Sequence, residues 1–175
     1  MIGITSPFAE EIAKLSVGAA AVSASIFGIF NGIGRPIYRF MTDKIGPKRS
    51  AIIPFMLIIF ASILAIAFGH VRPIYYLAFA IFWIILGGWL AIAPAATSAY
   101  FGLKHYSKNY GFMFTAYGIG ALIGMTISGR LRDVFGSYTY TFCPMIALAL
   151  IGVILAVLTL KNLRRITHQI NFIHI

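Results

Sequence analysis

The sequence predicts an all-α integral membrane protein with about five transmembrane helices. Three observations carry that expectation. The first is composition. Of 175 residues, 60% are hydrophobic and only 10% are charged, and the mean hydropathy is +0.91, whereas a soluble domain carries about 25% charged residues. So few polar groups could not cover a surface facing water. The second is length, because apolar runs recur that reach the ~20 residues a helix needs to cross hydrocarbon. The third is the placement of charge: basic residues fall between the runs and not along one polar face. Closed β-barrel strands would be short and alternate apolar with polar, and no such alternation is present.

The elements follow in order. "MIGITSPFAEEIAKLS" lacks a basic stretch followed by an apolar core, so it does not read as a signal peptide. The first span covers 17–40. In it Ser25, Gly28, Asn31, Gly32, Arg35 and Arg39 recur at three- and four-residue steps, which places them on one helix face. Phe27, Phe30, Ile33 and Ile37 form an opposite, lipid-like side. Glycines on the first face would let a neighbouring helix approach closely. Arg35 has two readings. It snorkels to the membrane surface, or it faces a central cavity as an anion contact, since a guanidinium does not comfortably meet lipid. Arg39, Lys44, Lys48 and Arg49 read as topology charge.

The second span covers 50–69. The third, 74–100, is longer than the bilayer needs and is expected to tilt or protrude. Its "GGWLAIAPAATSAY" carries Gly87 and Gly88, which weaken helix regularity, and Pro94, which is expected to kink it. Trp89 either packs or lines a path. The fourth, 109–129, has two small faces: Gly111, Thr115 and Gly118, and then Ala121, Gly124 and Ser128 following Tyr117. Such a helix is packed on both sides or lines a cavity. The phenol of Tyr117 needs a hydrogen-bond partner, met by cavity lining or by buried pairing. The fifth span covers 140–160. Cys143, the single cysteine, excludes an internal disulfide and reads as a small packed residue.

The connections set an orientation. Residues 31–50, 101–108 and those after 160 hold Arg35, Arg39, Lys44, Lys48, Arg49, Lys104, Lys108, Lys161, Arg164 and Arg165 against the single acid Asp43. The other set holds Lys14, Arg72, Arg130 and Arg132 against Glu10, Glu11 and Asp133. The basic excess belongs in the cytoplasm, so the N-terminus is expected outside and the C-terminus inside, in the plasma membrane. The same distribution argues against a nucleic-acid partner despite a net charge of +10. The partner it requires is the lipid bilayer. No acid lies mid-membrane, and Glu10 and Glu11 are adjacent and point apart, so no carboxylate pair is available for acid–base work. His70, His105, His168 and His174 lack metal-ligand spacing, and no phosphate-binding G-x-x-x-x-G-K-[ST] loop occurs. No enzyme, cofactor, metal or ATP motor is expected. The terminal "ITHQINFIHI" has no clear periodicity and receives no role.

"GRPIYRFMTDKIGPKR" resembles the cytoplasmic loop signature of the major facilitator superfamily. Gly34, Arg35, Asp43, Gly46, Lys48 and Arg49 fit it, while Arg39 stands where glycine is usual and Pro47 where a basic residue is. "YFGLKHYSKNYGFMFTAYGIGALIG" and "DVFGSYTYTF" resemble the oxalate/formate antiporter family and its monocarboxylate-carrier relatives. The resemblance implies twelve spans in two halves, with substrate held mid-membrane while the halves rock. This chain then resembles spans 8–12, with "MIGITSPFAE" at the outer end of span 7. Residues 1–160 form a C-terminal transmembrane half-domain and 161–175 a cytoplasmic tail. The implied function is secondary active transport of a small carboxylate. Arg35, aided by Asn31 and Tyr117, would hold the carboxylate, and Gly34, Arg39, Asp43, Gly46, Lys48 and Arg49 would form a gating loop. Oxalate carriers of the family pair an arginine in span 8 with a lysine in span 11. Here the corresponding part of span 11 offers Tyr117 and no lysine, which implies a monocarboxylate over a dicarboxylate. The alternative is a truncated or split half-transporter that does not transport alone and pairs with a separate N-terminal half or with itself.

Overall fold

A computed structural model describes residues 2–160. After a 3-10 turn at Ile2–Ile4 come α1 (Thr5–Glu11), α2 (Val17–Ile45), α3 (Pro47–Phe68), α4 (Arg72–Phe101) and α5 (Tyr106–Phe135). A second 3-10 turn, Tyr138–Thr141, leads into α6 (Phe142–Thr159). Among the described residues there is no strand, and five segments are long and apolar enough to cross a membrane. The all-α membrane class expected from the sequence is the class adopted.

The helices are longer than the apolar runs. Residues 41–49, expected as a loop, are helical except for Gly46. That residue has φ +83°, a region glycine enters without steric cost. Pro47 follows at the first position of α3, where its missing N–H would have no helical partner anyway. Charge does not end α2, because Arg39 and Asp43 stand four residues apart and pair along its surface. α5 likewise runs past residue 129 to Phe135 and ends on Gly136 in the left-handed conformation. α4 continues through Pro94 without a break. Thr97 there donates to the Ala93 carbonyl at 2.8 Å.

The broadest packing is α2 against α4. Gly34 is buried in it, and a Cβ at that position would overlap the Ile84 carbonyl. One at Gly87 would overlap the Asn31 carbonyl, and Gly88 lies under the Tyr38 ring. Gly87 and Gly88 are therefore contact points of a close crossing, not weak points of α4. Gly28 and Gly32, expected to admit a neighbour, have nothing within 4 Å of a built Cβ. The same holds for Gly111, Gly118, Gly120 and Gly124, and Ser128 is the one buried residue of α5.

The main core lies at the end of the bundle that α1 covers. Phe8 is fully buried, with ring centroids 5.3 Å from Phe79 and 5.4 Å from Phe142. Phe27 belongs to this core and not to a lipid-facing side: it is 2% exposed and stacks on Phe79 at 6.1 Å. Ile33 and Ile37 are exposed as expected. Cys143 is exposed, not packed, because its neighbour Phe142 takes the inward position and each helical residue turns the next by ~100°.

Glu11 fastens α1 to the corner between α5 and α6. Its Oε1 accepts from the Tyr138 N–H at 2.9 Å and its Oε2 from Arg132 Nε at 3.3 Å. The backbone bond is the stronger part, since the Arg132 side chain is 49% exposed and solvent-screened pairs contribute only about 0–1 kcal/mol. Glu11→Gln, which keeps an acceptor for Tyr138, is expected to cost under about 1 kcal/mol. Glu11→Ala should cost about 1–3 kcal/mol. Thermal unfolding in detergent measures both, and equal losses would show that the Tyr138 bond contributes nothing.

Candidate functional site

The tight α2–α4 crossing fixes which way α2 is turned about its axis. With Gly34 and the Asn31 backbone pressed against α4, the face carrying Ser25, Gly28, Gly32, Arg35 and Arg39 is left exposed. The Asn31 side chain reaches along this face, and Arg35 Nη2 donates to its Oδ1 at 3.5 Å. That is one long hydrogen bond for a guanidinium with five donors, and among the described residues no carboxylate pairs with Arg35. Arg35 lies one turn deeper in α2 than Arg39, the next charge. Arg35 is thus a cation with an amide beside it and, among the described residues, no carboxylate partner, on a face of small residues that ends one turn later in the Asp43-paired Arg39. It can accept an anion, and a planar carboxylate suits the guanidinium fork.

The expected gating residues fall into three places. Gly34 is in the helix crossing. Arg39 Nε and Asp43 Oδ2 pair at 3.2 Å on the last turns of α2, with side chains 61% and 58% exposed. Past the Gly46 joint, Lys48 Nζ donates to the Val157 carbonyl at 2.7 Å, a favourable site for a cation at the C-terminal end of α6. Arg49 is exposed. The Lys48–Val157 link, which ties the start of α3 to the end of α6, had no signal in the sequence.

Tyr117 lies elsewhere. It lines a cleft of about 420 Å³ between α3, α4, α5 and α6, together with Phe55, Trp89 and Met113, and α2 contributes no residue to it. Tyr106, Tyr110, Phe114 and Tyr117 form a continuous aromatic ladder along α5, with successive centroids 5.6, 5.9 and 5.5 Å apart. The structure brings Asn31 and Arg35 together and leaves Tyr117 apart from both. The ladder's signal was legible, since the four rings recur at helical spacing in "YSKNYGFMFTAY". Among the described residues no group of three His, Cys, Asp or Glu side chains could hold a metal.

Comparison with known proteins gives a consistent neighbourhood. The profile of the Major Facilitator Superfamily matches residues 1–171. The oxalate:formate antiporter of Oxalobacter formigenes is 30% identical over 142 residues, covering 78% of this chain and 32% of that protein. An MFS-type transporter of Escherichia coli is 29% identical over 123 residues, 70% of this chain and 30% of that one. Human monocarboxylate transporter 14 is 30% identical over 67 residues, 38% of this chain and 13% of that one. The chain spans about a third of the length of the first two relatives. No solved structure matches.

Proposed function

The chain belongs to the major facilitator superfamily, and on that premise we propose that it is the C-terminal transmembrane half of a secondary carrier for small organic anions, working by alternating access. The observation that carries the substrate class is Arg35. Among the described residues it is a cation without a counter-carboxylate, steadied by Asn31, on an exposed face of α2 that none of the described helices covers. The names of the relatives, an oxalate:formate antiporter and a monocarboxylate transporter, support carboxylates as the cargo. Arg35 attracts the carboxylate and Asn31 orients the guanidinium. Tyr117 is left out of the contact set, because its ring lines a cleft to which α2 contributes nothing. A monocarboxylate suits a single cation better than a dicarboxylate does.

The basic end of the bundle, with Arg39, Lys44, Lys48, Arg49, Lys104 and Lys108, is assigned to the cytoplasm of a plasma-membrane protein by the positive-inside tendency. The N-terminal end then faces outward. At the basic end the Arg39–Asp43 pair, the Gly46 joint and the Lys48 and Arg49 cations form the inward gate, with Gly34 holding α2 against α4 behind it.

Uptake of formate, lactate and oxalate by proteoliposomes containing the intact carrier tests the reading. Losing a hydrogen bond to a charged group costs about 1.5–3 kcal/mol, so Arg35→Gln should weaken substrate affinity about 10- to 100-fold. Arg35→Lys should fall between the two. Unchanged affinity in Arg35→Gln would remove Arg35 from the site.

The bare flank of α5 favours a second reading. Between Tyr106 and Phe135 only Ser128 is buried, as suits a half-transporter that is completed by a separate N-terminal half or a second copy and carries nothing alone. Saturable uptake by residues 1–175 reconstituted without a partner would refute it.

A further inference from the structure

We propose that the cleft between α3, α4, α5 and α6 is a lipid site. It takes one acyl chain of an anionic phospholipid, whose headgroup is met by Lys48, Lys104 and Lys108. The cleft is open-sided and about 420 Å³ in volume, walled by Phe55, Trp89, Met113, Phe114 and Leu155 among others. Its depth suits one leaflet. Pro47, the first residue of α3, and Phe55 both line it, and their eight-residue separation on a helix spans about 12 Å, against about 15 Å for half of a ~30 Å hydrocarbon layer.

The walls are mainly apolar and carry no charged side chain. The one hydroxyl of a Ser or Thr in the lining, Thr159 Oγ1, is already turned to the Leu155 carbonyl at 2.7 Å. A small carboxylate inside it would meet no cationic side chain, only the Tyr110 and Tyr117 phenols and the Trp89 indole as side-chain donors.

The rim supplies the sign of the headgroup. Pro47 begins α3, Leu160 follows α6 and Tyr110 lies in the second turn of α5, so the mouth is at the basic end of the bundle. Lys48 is beside it, with Nζ on the Val157 carbonyl, next to Ala156 in the wall, and its ammonium has further donors to offer. Lys104 and Lys108, in the α4–α5 connection and the first turn of α5, are exposed at the same end. The only acid at this end among the described residues, Asp43, is engaged by Arg39. A basic peptide would be repelled there, which disfavours the chain's own continuation with Lys161, Arg164 and Arg165. Membrane phospholipid with a negative headgroup satisfies both rim and walls.

Trp89 makes the test direct, because the chain has only one other tryptophan, Trp83. The full chain is reconstituted in phosphatidylcholine containing either phosphatidylglycerol or phosphatidylcholine with brominated acyl chains, and Trp89 quenching is followed in Trp83→Phe. The difference between wild type and Trp89→Phe reads the same signal without altering Trp83. The expected result is a preference for brominated phosphatidylglycerol of about fivefold or more. It should shrink in Lys104→Gln/Lys108→Gln and in high salt, which screens exposed charges. Equal quenching by both lipids, as from ordinary boundary lipid, would overturn the proposal. So would the absence of quenching by either, which would mean that protein closes the cleft.

Discussion

Gly87→Val is expected to abolish recovery of a stable, monodisperse protein, and Gly87→Ala to lower its thermal midpoint sharply. At this point the two longest-contacting helices approach until a Cβ on α4 would overlap the Asn31 carbonyl of α2. Backbone cannot step aside as a flexible side chain can. Adding even one carbon to a well-packed site typically costs about 1–3 kcal/mol, and here the displaced partner belongs to an intact helix. The partner site Gly34, against the Ile84 carbonyl, should respond in the same way. The two losses should not add, since either one already separates the crossing. Gly118→Ala on α5 is the control. Nothing lies within 4 Å of its Cβ position, and alanine is about 1 kcal/mol better than glycine inside a helix, so it should be neutral or mildly stabilising. Size-exclusion profiles after graded heating compare the three. If Gly87→Ala proved as stable as Gly118→Ala, the close crossing would be wrong, and with it the reason why Arg35 is turned away from α4.

Phe8→Ala is the second large effect. Phe8 is fully buried where α1 meets Tyr75, Phe79 and Phe142. Phe→Ala in a core costs about 3–5 kcal/mol. Part of that figure is transfer from water, which shrinks where the alternative surroundings are lipid, but the lost packing contacts remain. A value near the lower end is expected, a large share of a typical folding stability of about 5–15 kcal/mol. Phe8→Leu, which refills most of the space, should cost a fraction of it. Unfolding midpoints in detergent decide the matter, and an unchanged midpoint in Phe8→Ala would show that α1 does not seal the bundle.

These two sites also show how far the sequence could be read. The five spans were legible because each contains an apolar run long enough to cross the bilayer. Their ends were not. Charge marked residues 41–49 as a loop, yet a helix tolerates charge on a water-facing surface, and the Arg39–Asp43 pair extends it. The core under α1 was hidden because seven residues are too few to display a period. The glycines were visible but not their roles. Gly28 and Gly34 look alike in the sequence, and only the azimuth set by α4 buries one and bares the other. The Asn31–Arg35 pairing was legible as a four-residue step. The separation of Tyr117 from it was not, because that depends on which helices flank α5.

The joint at Gly46 has a mechanical consequence. A connection one residue long has no slack, and Lys48 pins its far side to the end of α6. Any tilt of α2 is therefore transmitted to α3 and onward to α6 as through a rigid linkage. At this end α5 meets α4 through a softer contact, the Thr97 hydroxyl 3.3 Å from Met113 Sδ. It hangs from a four-residue strap, residues 102–105, while its opposite end is fastened through Arg132 to Glu11. In a rocking motion the first group would move as one lever, and the seam beside α5 would take up the displacement.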